Sequence, residues 1–445
     1  MKNHVIKGNI CYSATKDALS VTENGYVVCQ EGRCAGVYEN LPKEYETLPC
    51  HNYEDKIIIP GLVDLHVHAP QYTFRGRGMD LELIDWLNTR TFAEEAKYED
   101  LEYAEKAYGI FAEDLRTSAT TRACIFGTIH TEATLLLMEK LDRTGLQVCV
   151  GKVNMDRNSP QYLCEESAEK SAKDTEEWLQ KCQRFHNVRP ILTPRFTPSC
   201  TDELLEKLSE LQKKYHLPVQ SHLSENLGEI DWVKELCPGT SCYGESYDRY
   251  GLFGNGCPTI MAHCVHSGDK EMEMMRKQNV FVAHCPESNA NLSSGVAPVK
   301  KYLENGMKVG LGSDIAGGTS LSIFKAMAMA VQCSKLRWRL HDQSVGPLTM
   351  EEVFYMATKG GGEFFGKVGS FEKGYEFDAV VLDDSSLRHP QKLSVKERLE
   401  RLIYLADGRS MTAKFVNGHV VYRESQDGIK TTVDGNDSGH GAGQR

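Results

Sequence analysis

Two histidines one residue apart, His66 and His68, sit in the run Pro60-Gly61-Leu62-Val63-Asp64-Leu65-His66-Val67-His68. In an extended strand both side chains point to one face. Two imidazoles on one face are a minimal bite for a transition metal. The pair alone is a weak signal. Three further residues strengthen it: His222 in Val219-Gln220-Ser221-His222, His263 in Ile260-Met261-Ala262-His263, and Asp314 in Gly310-Leu311-Gly312-Ser313-Asp314. Each falls near the C-terminal end of a short apolar run. A single histidine at a strand end is usually a hydrogen-bonded structural residue. Four histidines and an aspartate at corresponding ends of successive strands read as a metal site.

The elements that must hold these residues are visible as a repeating pattern. Short runs rich in Val and Ile recur eight times, over 57–68, 120–129, 146–154, 189–196, 217–225, 258–266, 279–284 and 308–314. Between them lie amphipathic stretches such as 203–215, with apolar residues at helical spacing. Strand alternating with helix implies parallel βα units, and eight units imply an α/β fold of the closed (β/α)8 TIM-barrel type. Such barrels carry their chemistry at the C-terminal ends of the strands, where the five candidates fall.

The barrel is expected over 61–365. Residues 1–60 and 366–425 read as short strands and turns, including one strand over 375–382 and a hairpin at Asn417-Gly418. They are expected to form one small β-sandwich domain built from both termini. The tail 426–445 is Gly-, Asp-, Ser- and Asn-rich without apolar periodicity, and reads as disordered.

Composition excludes several roles. The net charge is −11 and the pI about 5.8, which lacks the basic footprint of a nucleic-acid binder. No apolar h-region or run of membrane-spanning length is present, so the expectation is a protein neither secreted nor membrane-embedded. Fifteen cysteines without a CxxC pair fit reduced thiols in the cytoplasm. A His-x-Glu at His130–Glu132 lacks the Pro-Cys-x-x-Cys partner of the other zinc deaminase fold and is set aside.

The order of these motifs, Pro-Gly-x-x-Asp-x-His-x-His first, then His on strands five and six and Asp on strand eight, resembles the amidohydrolase superfamily. The stretch 369–383 is similar to that superfamily's returning β layer. Within it, His68-Ala69-Pro70-Gln71, Pro194-Arg195-Phe196, His222–Asn226, Ala283–Asn289 and Gly312–Gly318 resemble the guanine deaminase family. The resemblance implies metal ligation by His66, His68, His222, His263 and Asp314. It implies substrate contacts from Gln71, Arg195, Phe196, Glu225 and Asp314, and it implies a homodimer. Thr193-Pro194-Arg195-Phe196 places no bridging lysine at the end of strand four, which favours one metal per subunit. Zinc is expected, with iron also suited to imidazole ligands.

The implied chemistry is coherent. Deaminating guanine to xanthine and ammonia needs a water made nucleophilic at neutral pH, which zinc supplies. Asp314 can take the water proton, and Glu225 can protonate the ring nitrogen. Arg195 is a planar fork for a carbonyl oxygen, Gln71 a two-way hydrogen-bonding group, and Phe196 a stacking face. His284 is read either as a support to the metal site or as a core histidine. The rival readings are an aminohydrolase or chlorohydrolase of the same superfamily acting on another purine, a pyrimidine or a triazine, and a non-enzymatic scaffold barrel.

Overall fold

The computed structural model describes residues 2–408 and 410–424. The tail expected to be disordered lies outside them. Eight parallel strands alternate with helices: β1 Leu62–His68, β2 Thr120–Phe126, β3 Gln147–Gly151, β4 Val188–Pro190, β5 Val219–Leu223, β6 Thr259–His263, β7 Phe281–His284 and β8 Lys308–Leu311. The principal intervening helices are α1 Leu101–Arg116, α2 Thr131–Thr144, α3 Ala168–Cys182, α4 Asp202–Tyr215, α5 Leu227–Leu236, α6 Asp269–Gln278 and α7 Val299–Glu304, and α8 Ile323–Leu340 follows β8.

The strands pair as two four-stranded parallel sheets, β1-β2-β3-β4 and β5-β6-β7-β8. A bridge between Leu192 and Val219 joins one seam. At the other, Asp314 N donates to His66 O (2.8 Å) and His68 N to Ile315 O (3.3 Å). Side chains alternate as a strand requires. Ala123 and Ile125 of β2, Met261 of β6 and Val282 of β7 join the large core shared with the helices. Their neighbours Cys124, Ile260, Ala262, Phe281 and Ala283 form a separate apolar cluster with Val63 and Leu65 of β1.

A seven-stranded sheet is built from both ends of the chain. Its strands are His4–Thr15, Ala18–Gln30, Arg33–Tyr38, Cys50–Pro60, Ala379–Leu382, Met411–Val416 and His419–Arg423. Cys50–Pro60 is central, parallel to His4–Thr15 and antiparallel to Ala379–Leu382. The last two strands form the expected hairpin, with Asn417 and Gly418 both at positive φ.

Two expected strands come out differently. The single run 57–68 is two strands, because Ile57–Pro60 belongs to the terminal sheet and Leu62–His68 to the barrel. Gly61 makes the crossing: a Cβ there would lie 2.2 Å from Thr121 Oγ1. The run 375–382 is a strand only from Ala379. Before it, Tyr375 and Phe377 make single backbone bonds to Cys34 and Gly32.

Candidate active site

His66 and His68 reach the site through a bulge. Asp64 pairs with Ala123 and Val67 with Ile125, so β1 carries one more residue than β2 over that interval. A bulge re-aims the side chains beyond it. Val63 and Leu65 pack in the apolar cluster below, and the two histidines take over that face above. Asp64, buried under the bulge, accepts from His66 N (3.1 Å), Ser313 N (3.0 Å) and the Ser313 hydroxyl. Burial pushes its carboxyl up to about 6.

His222 is the last residue but one of β5 and His263 the last of β6. His263 (φ 72°) and Asp314 (φ 44°) both adopt left-handed backbone. Such conformations cost on the order of 1–3 kcal/mol and concentrate at functional sites.

The side chains converge. His66 Nε2 lies 3.1 Å and His68 Nε2 3.5 Å from Asp314 Oδ1. His68 Nε2 and His222 Nε2 are 3.3 Å apart. His263 Nε2 is 3.4 Å from Glu225 Oε2 and 3.7 Å from Asp314 Oδ2. The tautomers follow from the outer partners. His222 Nδ1 donates to the Arg195 carbonyl (2.6 Å), and His263 Nδ1 faces the Asn289 amide oxygen (2.8 Å). Both therefore turn an Nε2 lone pair inward. His66 Nε2 and His263 Nε2 are buried without a hydrogen-bond partner. Buried polar atoms left in this state are rare. These two, with the facing Nε2 atoms of His68 and His222 and the Asp314 carboxylate, fit a divalent transition metal. Cys285 Sγ also lies within 4.8 Å of the ligand atoms of His66, His263 and Asp314.

Electrostatics support the same reading. Burial lowers the pKa of His66, and lowers those of His68 and His222 strongly, so these rings stay neutral and can donate lone pairs. Burial opposes the charge on Asp314, but the surrounding imidazoles, His66 first, carry its carboxyl well below the usual range. Glu225 behaves oppositely. Burial, and then the charge of Asp314, push it well above the usual carboxylate range.

The expected metal and substrate residues other than His66 all line one cavity. The far wall is apolar, formed by Leu83, Trp86, Leu87 and Leu292. Arg195 follows the short continuation of β4 at Thr193–Pro194 and is 3% exposed. Its Nη1 donates to Glu95 Oε2 (2.6 Å). Gln71 donates to the other oxygen of Glu95 (2.8 Å) and accepts from Ala316 N (2.9 Å). Phe196 packs edge-on against Trp232, with ring centroids 6.2 Å apart. His284 ends β7, fully buried, and does not line the cavity; burial lowers its pKa to about 3. The buried lysine of this region, Lys152, is engaged by Glu165 and the Val153 carbonyl.

Asp64, Glu95 and Asn289 were not singled out by the sequence reading. Asp64 and Asn289 lie inside motifs already noted, two residues before His66 and four after Cys285. Glu95 carries no such signal.

The model of the amidohydrolase family matches residues 57–421. The chain belongs to the amidohydrolase family. Among characterised amidohydrolases it is 36% identical to guanine deaminase of Dictyostelium discoideum, over 94% of this chain and 98% of that protein. It is 38% identical to guanine deaminase of Rattus norvegicus, over 91% of each chain. A crystal structure of guanine deaminase from C. acetobutylicum with guanine bound in its active site is 48% identical. It superposes with a TM-score of 0.92, covering 94% of this chain and all of the other.

Proposed function

We propose that this amidohydrolase hydrolyses guanine to xanthine and ammonia, and that its two four-stranded sheets form one closed (β/α)8 barrel. The observation that carries the activity is the inward ring of imidazole nitrogens and carboxylates beside the Arg195–Gln71 donor pair. The relatives named guanine deaminase support the substrate.

His66, His68, His222, His263 and Asp314 would hold one metal ion per subunit, which we assign as zinc. Bound there, zinc lowers the pKa of a coordinated water from 15.7 toward about 7. The residues do the rest. Arg195 and Gln71 hold the base by its acceptors, and Phe196 and the apolar wall exclude water from its face. Water oxygen bonds to the amino-bearing ring carbon, and its proton passes to Asp314. Glu225, whose carboxyl burial and then Asp314 hold well above the usual range, gives its proton to the adjacent ring nitrogen. The proton on Asp314 then goes to the amino group, which leaves as ammonia, and as the carbonyl forms the remaining hydroxyl proton returns to Glu225, so both carboxyl groups end as they began.

Reduced cysteines fit a cytoplasmic enzyme; none of the fifteen forms a disulfide. Among the described residues no helix is long and apolar enough to cross a membrane. The homodimer rests on the family resemblance. The deciding experiment is ammonia release across guanine, adenine, cytosine and an aminotriazine, with metal content measured on the same sample. Turnover of guanine alone is expected. Turnover of another ring without guanine would overturn the substrate assignment.

A further inference from the structure

Behind two residues that line the cavity, Gln71 and Arg195, lies a buried carboxylate to which the proposed chemistry gives no work. Glu95 lies in the short helix Phe92–Ala96 and is 1% exposed. One of its oxygens accepts from Gln71 Nε2 (2.8 Å) and the other from Arg195 Nη1 (2.6 Å). It therefore ties a residue just past β1 to one just past β4. The tie continues at both ends. Gln71 Oε1 accepts from Ala316 N, two residues past Asp314, and the Arg195 carbonyl accepts from His222 Nδ1.

This network fixes polarity as well as position. A side-chain amide can present either its oxygen or its nitrogen to a ligand. Here the Gln71 oxygen is turned to a backbone N–H and one of its N–H groups to a carboxylate, which fixes the way round of the amide and leaves its second N–H as the donor for a ligand. The guanidinium of Arg195 has donors only. We propose that Glu95 is a positioning residue that forces the recognition edge to be donors throughout, so that the site selects a base offering adjacent acceptors. Resting on the guanine reading, this means the carbonyl oxygen and imidazole nitrogen of a 6-oxopurine, the acceptor pair that arginine reads in guanine. A purine with an amino group in place of that carbonyl meets donor against donor. Without Glu95 the Gln71 amide is free to turn over and offer its oxygen to such an amino group.

The test compares two competitors that differ at that position alone: hypoxanthine, with a carbonyl, and adenine, with an amino group. Inhibition constants for both are measured on the metal-loaded wild type and on Glu95→Gln, with kcat and KM for guanine alongside. The expected result is a rise in KM for guanine and a fall of at least about tenfold in the preference for hypoxanthine over adenine, at unchanged metal content. Loss of both ligands in equal proportion, leaving the preference within twofold of wild type, would mean that Glu95 only supports the fold, and would overturn the proposal. If Glu95→Gln does not fold, Glu95→Asp keeps the charge but cannot span both partners, and the same change in preference is required of it. Failure of the wild type to deaminate guanine would sink the underlying reading, whatever the variants do.

Discussion

A single acceptor decides how each of two histidines of this site is used. The Arg195 carbonyl and the Asn289 amide oxygen hold protons on the outer nitrogens of His222 and His263. The inner nitrogens are left as ligands in waiting. Such outer partners commonly matter 10–100-fold in metal affinity. Asn289→Ala is expected to weaken metal binding by about tenfold, read by competition against a chromogenic chelator. Glu225 carries a different demand, because it must hold a proton at neutral pH and release it to the ring. Glu225→Gln is expected to keep its metal while kcat falls by about 10²–10⁴-fold, and unchanged turnover would exclude the proton-shuttle role. At this scale the sequence was most legible where side-chain type is chemically narrow. Four histidines and an aspartate at successive strand ends point together to a metal. Glu95 was illegible because its meaning comes only from two partners, Gln71 and Arg195, that the fold brings to it from 24 and 100 residues away.

Among the elements, β1 and α5 do the most to shape the site. The bulge in β1 turns His66 and His68 onto a face that Val63 and Leu65 hold lower down. Strand periodicity foretold that the two histidines share a face. It could not show the added residue, because a bulge leaves no mark in apolar alternation this short. The eight-run pattern located all eight barrel strands, yet 57–68 merged two strands, since an apolar run looks the same on either side of a sheet boundary. Helix α5 begins under a capping box in which Glu229 accepts from Asn226 N, and it also accepts from Glu225 N and the Tyr243 hydroxyl. Burial, and then the neighbouring Glu225, raise its pKa from 4.5 to about 7. The folded protein therefore keeps a proton that the unfolded chain releases between these values. Stability contributed by this group is full below pH 4.5 and is lost as pH rises to about 7, at a slope of up to about 1.4 kcal/mol per pH unit. Glu229→Gln keeps the cap and removes the titration. Urea melts from pH 4.5 to 7.5 are expected to show the wild type losing ground to the variant as pH rises; a constant difference would refute the assignment.

The whole molecule is held together where the terminal sheet meets the barrel. Arg122 of β2 is 4% exposed, and its guanidinium bonds Asp378, Glu376 and Asn417 of the C-terminal segment. Nearby, the buried Lys414 ammonium donates to the carbonyls of Leu115, Ser118 and Thr120. Removing one partner of a buried pair leaves a stranded charge and costs about 3–5 kcal/mol. Arg122→Met is expected to lower unfolding free energy by that amount in urea melts, while kcat of the folded enzyme at 25 °C stays near wild type. A two-ended β layer was legible from the strand-like ends of the sequence. That its described pairing is one seven-stranded sheet, and that Arg122 fastens it, depends on contacts across more than 250 residues.

The central strand of that sheet has a consequence for how the protein is made. Ile57, Ile58 and Ile59 are fully buried, and one edge of their strand is completed only by Ala379–Leu382. A ribosome adding about 5–20 residues per second needs on the order of 15–60 s to make the roughly 320 residues between them. Throughout that interval the nascent chain carries an apolar strand with an open edge, the kind of surface that pairs with other chains. The burden on chaperones therefore falls before the C-terminal segment emerges, and a chain stopped short of Ala379 keeps that adhesive edge permanently.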